Sequence, residues 1–349
     1  LLAAPELGRK VVVHRQKGAM LLEAWLGKVI HPVASVVGGF SAPLTETIRQ
    51  RIIEETKDQL SFALSTLELA KEKIFPKYLD VVKTLGIFDS GFLGTVADDG
   101  TWDIYDGKLR LMRADGSYDD FDSKTYTDHI EERVEGWSYV KMPYAKNWGG
   151  GFSLDPGDPK GVYRANCLAR INVCDRMPTP IAQKELEIFR EAFGRPAQLT
   201  LLYHWARLIE LVANCESALE LAEDPDITSK DVRNEAPPRS GRGVGVVEAP
   251  RGSLIHDYTC DDKGIITDVN LIVGTTHNQA PINIPVKQAA SSTIKGGQYD
   301  QGMLNQIEMA FRAYDPCLGC ATHTLPGHTS LLVRLFDHQH ELVQEVFRE

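Results

Sequence analysis

The chain has 349 residues, 43% of them hydrophobic, enough for two average domains or one large domain with insertions. Its 38 Lys and Arg against 48 Asp and Glu give a formal net charge of -10, which makes it a poor partner for nucleic acid or an anionic membrane. Six cysteines are too few for a disulfide scaffold and fit a reducing cytosol, and no apolar run reaches the length of a membrane span.

The sequence opens Leu1-Leu2-Ala3-Ala4-Pro5-Glu6-Leu7, with neither Met nor a signal-peptide n-region, and reads as the middle of a longer protein. A helix is predicted over 18–29, then His31-Pro32 and a turn at Gly38-Gly39. A long amphipathic helix is predicted over 44–75. Ile48, Ile52, Leu60, Leu64, Leu67 and Ile74 fall near one face, Ser41 or Thr45 caps the start, and Pro76 stops it. Residues 86–175 change character. Asp98-Asp99-Gly100, Asp106-Gly107 and Asp115-Gly116 punctuate short apolar runs, the pattern of a β-meander inserted between helices. The Gly- and Pro-rich stretch 147–161 reads as a loop.

Helices resume over 181–193, break at Gly194-Arg195-Pro196 and continue over 198–223, with Leu202, Leu208, Leu211 and Leu219 toward the core. His204 and Cys215 share a face of the second helix. They read as a hydrogen-bonded histidine and a buried thiol in preference to a metal pair. Residues 224–243 form a polar surface loop that ends in Gly241-x-Gly243-x-Gly245. A nucleotide fingerprint needs a strand before and a helix after, but a strand pattern follows here, so these glycines read as mobile or tightly turning backbone. A hairpin comes next: a strand over 253–260, a turn at Asp261-Asp262-Lys263-Gly264, and a return over 265–273. A helix over 305–313 delivers the chain to Asp315-Pro316-Cys317-Leu318-Gly319-Cys320-Ala321-Thr322-His323, and the tail 324–349 alternates like a separate hairpin.

Cys317-x-x-Cys320 brings two thiols to one point on a short turn, and His323 adds an imidazole. Three readings compete. A thioredoxin-like dithiol normally follows the first strand of a βαβ unit, whereas a helix precedes this motif. Half a structural zinc site would use Cys317, Cys320 and His323 with a remote fourth ligand. Half a bimetallic site would need a second cysteine pair to complete a four-thiolate cage. Cys167, Cys174, Cys215 and Cys260 read as buried hydrophobes. His256 and His277 flank the region without an assigned role.

The motif Asp315-Pro316-Cys317-x-x-Cys320-x-x-His323 resembles the C-terminal signature of the [NiFe]-hydrogenase large subunit. Glu248-Ala249-Pro250-Arg251-Gly252 resembles that family's segment carrying its active-site arginine, and residues 268–278 resemble the strand and loop that follow. Ala310-Phe311-Arg312-Ala313-Tyr314 leads into the cysteines as in the cytoplasmic branch, and residues 168–173 add a further match. His31-Pro32 with Gly38-Gly39 is similar to the family's turn, with Val37 where proline is usual. The resemblance spans nearly the whole chain in family order. It is nearest to the methyl-viologen-reducing branch, with the NAD-linked bidirectional branch next.

This resemblance implies an α+β fold, mainly helical, with a central long-helix bundle, an inserted β-meander over 86–175 and a C-terminal β-hairpin region. It implies one large-subunit domain over 1–323 and an extension over 324–349 that a maturation endopeptidase removes by cutting after His323. The family's N-terminal Arg-x-Cys-Gly-x-Cys element, its proton-exit acid and its magnesium-binding glutamate would lie upstream of Leu1. Cys317 would be a terminal nickel ligand, and Cys320 would bridge nickel to an iron carrying carbon monoxide and cyanide. Arg251 and the Cys317 thiolate are the candidate bases for heterolytic cleavage of H2, and Asp315 would anchor Arg251. Pro250 and Thr275 would lie against the cofactor, with Thr275 bonding a cyanide. His323 and the Leu271 carbonyl would bind Mg2+. The implied partners are an iron–sulfur small subunit, because this chain lacks cysteines for clusters, and further electron-transfer subunits, all in the cytoplasm. Arg251, ahead of an apolar strand, is expected to be buried. Two readings from other classes stand beside this one: a non-catalytic structural or electron-transfer homologue related to the quinone-oxidoreductase subunit, and a zinc-stabilised binding protein.

Overall fold

A computed structural model describes residues 5–235, 237–322, 331–337, 339 and 341–348. Its longest helix starts where Thr45 accepts the Ile48 N–H through its hydroxyl at 3.3 Å, which takes up one orphan donor of the first turn. This helix, α2 (Glu46–Leu69), follows α1 (Pro5–Leu26) and a small hairpin of β1 (Ser35–Val36) and β2 (Gly39–Phe40). The first helix begins well before residue 18. It lies on α2, where Lys17 reaches Glu55 at 2.9 Å and Asp58 at 2.6 Å and the His14 ring stacks on Phe62. Pro76 does not stop the long helix. After a π-helical turn over Ala70–Ile74 it stands in the first turn of α3 (Phe75–Thr84), where a missing N–H costs nothing.

The β-rich segment contains β3 (Gly91–Val96), β4 (Lys108–Met112), β5 (Tyr118–Phe121), the short helix α4 (Tyr126–His129), β6 (Ile130–Arg133), β7 (Met142–Ala145) and β8 (Tyr163–Arg164). It is a meander only in part. β5, β4 and β3 are antiparallel neighbours, β8 joins β3 in parallel, and β6 pairs with β7 apart from them. The segment also ends early, because residues read as its last part form α5 (Cys167–Val173), a helix buried at every position. β3 is buried on both faces. Phe92 and Val96 enter the helical core, while Leu93 joins Leu109, Leu111, Ile255 and Ile272 in a second core. Between them Gly94 leaves room for α5, since a Cβ there would lie 2.9 Å from Val173 Cγ2.

The helical core unites Leu60, Ala63, Leu64 and Leu67 of α2 with Ala206, Ile209, Val212 and Ala213 of α7 (Tyr203–Glu223). Between α5 and α7 runs α6 (Pro180–Phe193), closed by Gly194 at φ 75°. Trp205 stacks on Phe75 and meets Phe189 and Phe193 edge-on, so three helices share one aromatic joint. Leu211 is 39% exposed and His204 faces solvent, so neither takes the place predicted for it, whereas Cys215 is buried.

A three-stranded antiparallel sheet follows, ordered β11 (Ile266–Ile272), β10 (Gly252–Cys260), β9 (Gly241–Ala249). The glycines 241, 243 and 245 therefore lie in a regular strand paired residue by residue with β10, not in a turning backbone. Two further helices escape the sequence reading: α8 (Gly274–His277) is a single turn, and in α9 (Gln279–Thr293) Pro281 and Pro285 interrupt the pattern. Next come α10 (Gln301–Arg312) and the single turn α11 (Leu318–Ala321). The tail holds an antiparallel pair, β12 (Leu331–Phe336) and β13 (Leu342–Arg348). Among the described residues no helix is long and apolar enough to cross a membrane.

Candidate functional site

Pro250 and Arg251 form the two-residue turn between β9 and β10, whose pairing brings Ala249 opposite Gly252. Two glycines let other segments touch this turn. A Cβ on Gly252 (φ 134°) would lie 2.8 Å from Ala165 Cβ, and one on Gly274 would lie 2.8 Å from the Arg251 carbonyl carbon. Gly274 also opens α8, which places Thr275 beside the cysteine turn.

The Arg251 guanidinium meets Asp315. Its Nη2 lies 3.1 Å from the carboxylate Oδ2, and its Nε donates to the Asp315 carbonyl. The expected burial of Arg251 is not found: the two side chains are 38% and 52% exposed. The pair forms where the chain leaves α10, at a point where Asp315 holds φ 49°. Two residues later the Cys317 N–H donates to the hydroxyl of fully buried Thr275 at 3.0 Å. Cys317 then caps α11, and its Cα lies 5.4 Å from that of Cys320, with the two sulfurs joined as a disulfide. In that form neither sulfur can ligate a metal, so the thiolate reading applies to the reduced pair.

Leu271 lies in β11 opposite His256. His323, its expected companion, and the cleavage point after it lie outside the described residues, as do residues 324–330 of the tail. Among the described residues no group of three or more His, Cys, Asp or Glu is arranged to hold a metal ion. When reduced, Cys317 and Cys320 supply two soft donors on one turn, which fits one side of a nickel–iron thiolate centre but does not complete it.

Behind the turn lies a network that the sequence reading missed. Arg170 of α5, 3% exposed, donates to both oxygens of Glu210 at 2.6 Å and to Glu248 at 2.8 Å. It also donates to the carbonyls of Ala249 at 2.9 Å and Pro250 at 3.3 Å, so it holds the residues just ahead of Arg251. Glu210 accepts the Trp102 indole N–H at 3.1 Å, and Glu248 accepts from Ser253 at 2.6 Å and from the Thr95 N–H at 3.1 Å. Burial opposes the charge on Arg170, but the two carboxylates more than offset it and raise its pKa. A cleft of about 410 Å³ lies between this network and Asp315, lined by Trp102, Arg170, Glu210, Glu248 and Pro250. The signal was present: Arg170 and Glu210 each interrupt a strongly apolar helical run, where a charge demands a partner.

Burial pushes the thiol of Cys167 up to about 12 and that of Cys174 up to about 11, so both are neutral packing residues. Cys260, expected to be buried, is part-exposed at the end of β10. His277 is fully buried with Nδ1 2.8 Å from the Tyr163 hydroxyl, and desolvation lowers its pKa from 6.5 to about 3. The unfolded chain therefore binds a proton there that the folded one refuses. Stability from this residue is complete above about 6.5 and falls as pH drops toward about 3. Urea midpoints measured across that window are expected to fall less steeply for His277→Gln than for the unsubstituted chain. Equal slopes would refute this.

The α+β frame thus brings a two-cysteine turn beside a paired arginine. Similarity to known proteins specifies the family. Residues 182–323 match the model of the nickel-dependent hydrogenases. The chain is 39% identical over 348 residues to a subunit of the F420-non-reducing hydrogenase of Methanothermobacter thermautotrophicus, covering 98% of this chain and 71% of the relative. It is 38% identical to the beta subunit of the NAD-reducing hydrogenase HoxS of Cupriavidus necator, covering 98% and 70%. A crystal structure of NAD+-reducing [NiFe]-hydrogenase in the H2-reduced state superposes with a TM-score of 0.84 at 37% identity, covering 91% of this chain and 69% of that one. The chain belongs to the nickel-dependent hydrogenase family, as a large subunit of the oxidoreductase class.

Proposed function

We propose that reduced Cys317 and Cys320 form half of the thiolate cage of a nickel–iron centre that cleaves H2 reversibly and heterolytically. Donors from outside the described residues complete the cage. One observation supports this reading most: the Arg251 turn, Thr275 and the cysteine turn, remote in sequence, meet at Asp315 and Cys317. When bound, the centre supplies the electron acceptor and polarises H2, with carbon monoxide and cyanide as ligands on iron.

This chain's own residues handle the proton and the surroundings. A guanidinium is already protonated at any ordinary pH and has no lone pair with which to accept a proton. Arg251 therefore acts as a fixed positive charge with directed N–H groups, held by the Asp315 carboxylate and carbonyl, and it steers the proton without accepting it. The Cys317 thiolate would be the proton acceptor. Thr275, with its oxygen engaged by the Cys317 N–H, has a hydroxyl proton that would serve a cyanide ligand as donor. Pro250 presents a rigid apolar surface to the ligands. His323 and the Leu271 carbonyl would hold Mg2+.

Electrons leave to a small subunit carrying iron–sulfur clusters and pass on to further electron-transfer subunits in the cytoplasm. A maturation endopeptidase removes 324–349. Infrared spectra of the matured complex are expected to show carbonyl and cyanide bands, and Cys320→Ser is expected to abolish both the bands and bound nickel. Wild-type nickel content in that variant would sink the assignment.

A further inference from the structure

The Arg251 and Asp315 turns come from distant parts of the chain, yet both are tied to one buried corner at Ala165-Asn166. Asn278, 1% exposed at the start of α9, donates through Nδ2 to the Arg251 carbonyl at 2.9 Å and the Gly274 carbonyl at 3.2 Å. Its Oδ1 accepts the Ala165 N–H at 2.9 Å. Asn166, fully buried, donates Nδ2 to the Tyr314 carbonyl at 2.7 Å, on the peptide that leads into Asp315. Its own backbone sits at φ 84° and ψ -173°, a region almost reserved for glycine. Such strain persists only where the surroundings over-determine it, and it gathers at functional sites. Asp315, at φ 49°, is a second non-glycine residue with positive φ at the same place.

We propose that Asn166 and Asn278 are positioning residues that set the spacing and orientation of the Arg251 and Asp315 backbones, and through them the placement of the Arg251 guanidinium ahead of Cys317. This inference rests on the reading that Arg251 serves catalysis. The ion pair fixes the two side chains to each other but not the backbones that carry them. The amide bonds are buried, unscreened and made to backbone. They connect both turns to the same two residues, so a shift of either asparagine moves Arg251 relative to Asp315.

Two variants isolate these bonds with little threat to the fold. In Asn278→Ala the vacated space admits a water that can serve the freed polar groups. In Asn166→Gly the new residue adopts the existing backbone without strain. Each is expected to lower H2 turnover of the matured complex about 100-fold, the scale of an ångström of misplacement. Asn278→Ala added to Arg251→Lys is expected to slow that variant by no more than about twofold, since both act through one group. In the full chain without metal, hydrogen exchange of Asn278→Ala should quicken in peptides covering 165, 250–253, 274–278 and 313–317 and nowhere else. Wild-type turnover in Asn278→Ala, an additive double variant, or exchange that quickens throughout the chain would each overturn the inference. If Arg251→Lys itself keeps wild-type turnover, the reading of Arg251 fails. A slow Arg251→Lys beside a fast Asn278→Ala removes the asparagine inference alone.

Discussion

Arg251→Lys is expected to lower H2 turnover by about 100-fold or more, the usual cost of losing a positioned acid–base or electrostatic group. Nickel content should stay at the wild-type level, since no metal donor is touched. Lysine keeps the charge, so a loss this large requires that geometry decides. The arginine uses two different nitrogens on one residue: Nη2 for the Asp315 carboxylate and Nε for its carbonyl. A planar fork can do both at once, whereas an ammonium on a flexible stem satisfies one and swings freely about it. Asp315→Asn should fall between wild type and Arg251→Lys, because it removes the charge but keeps an acceptor. Turnover and nickel measured on the same preparations decide the matter. Normal turnover in Arg251→Lys would show that charge alone suffices and that the fork has no part.

The cysteine turn, the segment carrying Arg251 and the strand leading to Thr275 are legible in the sequence because each is a short local signature. Spacing alone fixes Cys317 and Cys320 on one turn, whereas Arg251 stands out through the family resemblance and its place in the β9–β10 turn comes from the structure. What holds these pieces together is not local. Arg170 meets Glu210 and Glu248 across 40 and 78 residues, and Asn166 meets Tyr314 across 148. No period or propensity encodes such partners; only the charge stranded in an apolar run hints that they exist. Helix boundaries fail for the opposite reason, because local signals are read too strongly. Pro76 marks a stop in isolation but suits a helical first turn, and the glycines of β9 suggest looseness where a full ladder with β10 fixes them. The partial exposure of Arg251 also escapes the sequence, since it depends on which distant segments pack over the turn.

Arg170→Met is expected to destabilise the chain by about 3–5 kcal/mol, the cost of breaking a buried ion pair from one side. The methionine fills much of the volume, so the loss is electrostatic. Glu210 is 5% exposed and the Glu248 side chain is wholly buried, and the variant leaves both carboxylates without their cation. Burial already pushes the Glu248 carboxyl up against the pull of Arg170. Without that pull it rises further, and the folded state comes to bind protons that the unfolded state releases. Stability from such a group is present below the unfolded value and is lost as pH rises through the folded one, so the deficit of Arg170→Met should be larger near pH ~8 than near pH ~5. Adding Glu210→Gln and Glu248→Gln keeps acceptors for Trp102, Thr95 and Ser253 while removing both charges, and should recover most of the lost stability at every pH. Urea unfolding of the three chains across that range is the measurement. A deficit that does not vary with pH, or that survives in the triple variant, would mean that Arg170 matters for its hydrogen bonds to the Ala249 and Pro250 carbonyls and not for the buried charges. The network would then serve the Arg251 turn first and the core second.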